Sequence, residues 1–177
     1  ASDVYKRQIL EYNPNVENDS IIDVYSDSDW AGCVRTRKST SGGVMMLGNG
    51  VVKTWSSTQT TIAQSSGEAE YYALVRAAAE ALGMQSVMHD LGWKMRVRLW
   101  VDSSAAKSIA SRIGLGRVRH LEVAFLWLQA IVRDKRLEVR KVHGAQNPAD
   151  ILTKPKSAVE VSEQFSEKHL KIIARER

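Results

Sequence analysis

The sequence predicts a mixed α/β fold: a five-stranded mixed sheet, an antiparallel meander plus two parallel strands, with helices on both faces. Three observations carry that prediction. A strand of period two is followed by two short apolar runs joined by a tight-turn signal, which makes a meander. Two later strand signals each follow a helical stretch, so they extend the sheet through right-handed crossovers. The 177 residues, 44% hydrophobic, suffice for one domain with a sizeable core.

Residues 1–20 are read as an N-terminal extension. Its segment 3–8 (DVYKRQ) resembles a translated sequencing adapter and is set aside, and 11–20 is a polar linker. Residues 21–155 make the domain. Residues 156–177 form a charged tail with a weak apolar period (Val161, Phe165, Ile172), expected as a docked helix or an extension.

Residues 21–32 (IIDVYSDSDWAG) give the first strand. Ile22 and Val24 alternate with Asp23, Tyr25 and Asp27, so one face enters a core while the other carries acid. A carboxylate taken out of water needs a donor, a cation or a metal beside it; an edge strand with solvated acids is the alternative. A basic, Ser/Thr/Gly-rich turn at 35–43 (RTRKSTSGG) leads to strands at 44–47 and 51–55, joined by Gly48-Asn49-Gly50, which tolerates positive φ. After the polar connection 58–66, Ser65 or Ser66 caps a helix running from Gly67 to about Met88. Tyr71, Leu74, Val75, Ala78 and Leu82 lie along one side of it, with Arg76 and Glu80 opposite. On such a helix Glu68 and Glu70 point about 200° apart, so only one of them can face a given site.

The next strand is 97–102 (VRLWVD), ending on an acid. A short helix at 103–111 is broken by Gly114-Leu115-Gly116, and a longer one runs from about 118 to 134 with Leu121, Phe125, Leu128 and Val132 at core spacing. Residues 137–142 make the fifth strand and 143–146 a loop. Asn147-Pro148-Ala149-Asp150 opens a last helix, with Asn as cap and Pro at the first helical position.

Composition narrows the classes. A net charge of +5 suits a partner bearing phosphates. The one cysteine, Cys33, excludes an internal disulfide framework and a cysteine zinc site, and points to a reducing compartment. The longest apolar stretch, 121–132, is interrupted by Glu122 and Gln129, and no basic-then-apolar leader opens the chain. A soluble, intracellular protein without a membrane partner is expected.

Four acids fall near strand or helix ends on one edge: Asp27 or Asp29, Glu68 or Glu70, Asp102, and Asp150. Hard divalent cations prefer carboxylate oxygen, and two of them about 4 Å apart can drive phosphodiester cleavage. Each acid also has a structural alternative. Asp102 could cap the helix that follows, Asp150 could answer a helix dipole, and Glu68 and Glu70 could be surface residues.

In order along the chain, YSDSDWAG at Tyr25, RKSTSGG at Arg37, SSGEAEYYAL at Ser65, VDSSAA at Val101 and NPADILTKP at Asn147 resemble the ribonuclease H domain of copia-type retrotransposon Pol polyproteins. The resemblance implies a ribonuclease H-like fold, hydrolysis of the RNA strand of RNA/DNA hybrids during reverse transcription, and two Mg²⁺ or Mn²⁺ ions. By its Tyr-x-Asp pattern it implies Asp27 rather than Asp29, and by Glu-Tyr-Tyr-Ala-Leu it implies Glu70 rather than Glu68. By the same resemblance Asp102 and Asp150 complete a quartet expected to be both catalytic and metal-binding. His143 resembles a loop histidine that assists proton transfer or product release, a solvated side chain being the alternative.

Arg119-His120-Leu121-Glu122 is similar to the start of the family's long helix, whereas Cys33-Val34-Arg35-Thr36 departs from the acidic loop usual there. Arg35, Arg37, Lys38, Arg117 and Arg119 are candidates for phosphate contacts. The implied partners are the hybrid and the reverse transcriptase and integrase portions of the same polyprotein, in the cytoplasm within a virus-like particle or in the nucleus. Two other readings remain: a catalytically decayed nucleic-acid-binding module, and a DNA strand-transfer enzyme of the same fold. Against the latter, such enzymes place their glutamate on a late helix.

Overall fold

A computed structural model of the chain describes residues 8–10, 20–48, 50–114, 126–157, 159–161 and 170–172. Strands β2 (Ile21–Asp29), β3 (Thr40–Leu47), β4 (Gly50–Thr58), β5 (Arg96–Val101) and β6 (Glu138–Lys141) form one sheet in the order β4-β3-β2-β5-β6. β2 pairs antiparallel with β3, and β3 with β4, while β5 and β6 are added in parallel. This is the predicted meander with two parallel strands. A separate two-stranded antiparallel sheet joins β1 (Gln8–Leu10) to β7 (Leu170–Ile172). The reading of the tail as a helix or extension does not anticipate that strand.

Helix α1 (Ser66–Asp90) starts where a cap is supplied: the Ser65 hydroxyl accepts from the Glu68 N–H. Its alanines and Tyr71, Leu74 and Ala78 bury against Ile22, Val24, Met45, Leu99 and Val101, and Ile109 of α2 (Ser104–Ser111) and Leu128 of α3 (Trp127–Arg133) join the same core. The predicted start of the long helix near 118, with Leu121 and Phe125, lies outside the described residues. The opposite face of the sheet has a smaller cluster, Val44 and Met46 with Ala149, lined by Tyr25 and Leu152.

Two further elements differ from expectation. Residues 40–43, read as part of a turn, belong to β3. Glycine there answers a need for close approach rather than a bend: a Cβ on Gly43 would overlap the Trp55 indole, and one on Gly42 would come within 3.0 Å of the Ala149 carbonyl. The last helix is only a 3₁₀ turn, Pro148–Leu152. Pro155 disfavours helical backbone at the residue before it, which limits the turn's extension. Among the described residues no helix is long and apolar enough to cross a membrane.

Candidate metal centre

Register places the first two acids. β2 and β5 run parallel with Ser26 beside Val101, so Asp27 and Asp102 are the next residue of each strand's course and emerge together. Asp27 is fully buried. Glu70 comes from the first turns of α1, where the Ser28 N–H donates to its Oε1 at 3.4 Å. One carboxylate oxygen each from Asp27, Glu70 and Asp102 lie within 4.8 Å of one another.

Asp150 approaches from the opposite side, on the 3₁₀ turn. Asn147, fully buried, holds that turn to β2: its Nδ2 donates to the Ser26 carbonyl at 2.9 Å and its Oδ1 accepts from the Ala149 N–H at 3.2 Å. The Asp150 carboxylate is gripped by two ammonium groups, Lys154 Nζ 2.6 Å from Oδ1 and Lys156 Nζ 2.5 Å from Oδ2. Lys154 Nζ also lies 3.5 Å from Asp27 Oδ2, which accepts a hydrogen bond from the Thr153 hydroxyl. Asn147→Ala removes both hydrogen bonds of a buried amide, so it should destabilise the protein by about 1–3 kcal/mol. A urea midpoint equal to that of the parent protein would contradict this role.

Crowding of carboxylates shows in their affinities for protons. Burial above all, then the neighbouring Asp102 and Asp150, pushes Asp27 up to about 6 against the pull of Thr153 and Lys154. Glu70 is pushed up to about 8 by burial and then by Asp27 and Asp102. Burial raises Asp102 as well. Asp150 behaves oppositely: burial pushes it up, but Lys154 and Lys156 together hold it below the usual carboxylate range.

Within this group Asp27 Oδ1 and Glu70 Oε2 are buried and accept no hydrogen bond among the described residues. Anionic oxygens left so are costly unless a cation completes their coordination. An all-carboxylate donor set, without Cys or His, fits a hard divalent cation rather than zinc.

For Asp102 and Glu68 the structure decides between the alternatives. Ser103, not Asp102, caps α2, accepting from the Ala106 N–H at 3.2 Å. Glu68, 1% exposed, accepts from the Tyr72 hydroxyl and the Gln64 N–H, so it braces the helix start and is no surface residue. Asp29 accepts from the Thr40 N–H and shapes the loop after β2.

His143 is exposed, and its neighbour Gly144 lies against Asp102, where a Cβ would stand 3.3 Å from Oδ2. Arg35 and Arg37 are exposed and Lys38 half-buried on the loop after β2, and none forms an ion pair among the described residues. Arg117 and Arg119, with His120, lie outside the described residues. Sequence reasoning missed Thr153, Lys154 and Lys156. The spacing of Lys154 four residues after Asp150 was the available signal, but it is also that of an ordinary surface pair.

No protein-family model matches the chain. It is similar to the retrovirus-related Pol polyprotein from transposon TNT 1-94 of Nicotiana tabacum, 30% identical over 156 residues that cover 86% of this chain and 12% of that protein. The chain thus spans between 10% and 12% of the length of the curated Pol polyproteins it matches. The N-terminal RNase H domain of Rv2228c from Mycobacterium tuberculosis, solved as a fusion with maltose-binding protein, matches with a TM-score of 0.52 at 15% identity, over 85% of this chain and 96% of that one. LC11-RNase H1 in complex with RNA/DNA hybrid matches with a TM-score of 0.50 at 18% identity, over 75% of this chain and 93% of that one. At such identities these two structures establish the fold.

Proposed function

We propose, from the premise that this chain is a ribonuclease H-fold domain of the copia-type Pol polyprotein family, that it hydrolyses the RNA strand of RNA/DNA hybrids during reverse transcription. The observation that carries the proposal is the convergence of Asp27, Glu70 and Asp102 around two buried, unpartnered carboxylate oxygens. With Asp150 they would hold two Mg²⁺ or Mn²⁺ ions. Bound there, the ions would supply an activated water and take up charge on the departing oxygen.

The protein's own groups fix where this happens. Thr153 engages one oxygen of Asp27 and the Ser28 N–H one oxygen of Glu70, which leaves the other oxygen of each available to a cation. In the hydrolysis the water oxygen bonds to phosphorus, the P–O3′ bond breaks and the 3′ oxygen takes up a proton. His143, the neighbour of the Gly144 that approaches Asp102, would move protons or help product leave. Arg35, Arg37 and Lys38 would contact phosphates. Recognition would rest on the hybrid's minor-groove shape and 2′-hydroxyls, with little sequence preference. LC11-RNase H1, seen with a hybrid, shares the fold and supports that substrate class. The kinship with Pol polyproteins supports a reverse transcriptase portion as a partner; an integrase portion, and a cytoplasmic virus-like particle or the nucleus as the place, belong to the same proposal.

The test is a labelled RNA/DNA hybrid incubated with and without Mg²⁺. Metal-dependent cleavage of the RNA strand alone is expected. Binding without cleavage would instead identify a decayed module, and cleavage of DNA duplex but not hybrid a strand-transfer enzyme.

A further inference from the structure

The two sides of the carboxylate group differ in what neutralises them. The oxygens Asp27 Oδ1 and Glu70 Oε2 have no hydrogen-bond partner among the described residues. Toward Asp150, the space is served by an ammonium: Lys154 Nζ lies 2.6 Å from Asp150 Oδ1 and 3.5 Å from Asp27 Oδ2. Asp150's other oxygen is taken by Lys156 at 2.5 Å. Asp150 is not among the three mutually close carboxylates.

We infer that Lys154 is a built-in counter-ion, occupying the place where Asp27 and Asp150 would share a cation. One cation position would then have no internal competitor, and the other would fill only when the lysine leaves. The inference rests on the reading of these four acids as a metal site. Lys154 suits the task because its ammonium is a compact charge on a flexible stem, and 46% of the side chain is exposed. It can swing into water without moving the backbone that carries Asp150. Lys156 cannot do the same, since among the described residues it reaches Asp150 and Glu160 but not Asp27.

The two cations should then bind with unequal affinity, and Lys154 should set the difference. Lys154 is thus a positioning residue: it acts on the ligands and need not touch substrate.

Mn²⁺ titration of the whole chain by calorimetry tests this, with no substrate present. The parent protein should bind one ion more tightly than the other. In Lys154→Met the weaker site should tighten by about tenfold, with the tighter one moving by no more than about twofold. Lys154→Arg, which keeps the charge, should preserve the gap. Metal-free Lys154→Met should also melt lower than the parent and gain more from added Mn²⁺, because the carboxylates lose their internal cation. A gap unchanged in Lys154→Met, or both sites shifting alike, would overturn the inference while leaving the metal site standing. Failure of every variant to bind Mn²⁺ would overturn both.

Discussion

Asp27→Asn should reduce hybrid cleavage by a factor on the order of 10³ or more while leaving the protein folded. Asparagine has nearly the shape of aspartate and can still receive the Thr153 hydroxyl, so the strand and its neighbours need not rearrange. What disappears is the negative charge at a residue that touches both halves of the site. Asp27 groups with Glu70 and Asp102 on one side and shares Lys154 with Asp150 on the other. The loss should therefore fall on the chemical step, measured under single turnover with saturating Mg²⁺ and hybrid. Asp29→Asn makes the contrast. Its carboxylate accepts from the Thr40 N–H and holds the loop, so the change should cost about 1 kcal/mol of stability and little catalysis. Cleavage by Asp27→Asn at the rate of the parent would remove this residue from the reaction.

Much of the architecture is written in local pattern. The alternation of Ile22 and Val24 with Asp23 and Tyr25, the glycine turn after Leu47 and the Ser65 cap each need only near neighbours to be read, and β2, the β3–β4 hairpin and α1 form where they point. Pattern falls short where the reason for a residue lies far along the chain. Gly42 and Gly43 resemble turn residues, and only the approach of Trp55 and of the 3₁₀ turn shows why a strand needs them bare.

Helical geometry separates Glu68 from Glu70 but cannot say which faces the acids. That depends on Tyr72 and the Gln64 N–H engaging Glu68. Lysines 154 and 156 are hidden for another reason. Charged residues near a chain's polar tail read as solvated surface, and their grip on Asp150 exists only once Asn147 has tied the turn to β2.

Without divalent ions, the protein should lose stability as pH rises from about 4 to about 8, opposite to the usual behaviour of a salt-bridged carboxylate. The direction follows from where the two buried acids titrate. Asp27 is raised from 3.8 to about 6, and Glu70 from 4.5 to about 8. Between the unfolded and folded values the native state binds more protons than the unfolded chain, so unfolding releases protons and alkali favours it. The stabilisation is fully present below the unfolded values and is lost as pH climbs through the folded ones. Both groups are buried, and each tenfold gain in proton affinity on folding is worth about 1.4 kcal/mol, so the loss should amount to a few kcal/mol.

Asp150, held low by its lysines, contributes in the other direction and in another window: its stabilisation disappears only as pH falls below about 4. The two effects can therefore be resolved in one series of denaturation midpoints. Added Mg²⁺ should abolish the alkaline decline, because a cation among Asp27, Glu70 and Asp102 favours their ionised forms and leaves the native state no extra protons to lose. Midpoints taken in EDTA at about pH 5 and about pH 8, then repeated with Mg²⁺, make the comparison. Equal stability at both pH values in EDTA would mean that these carboxylates keep enough water to ionise freely. The cluster would then lack the strain that a cation is supposed to relieve.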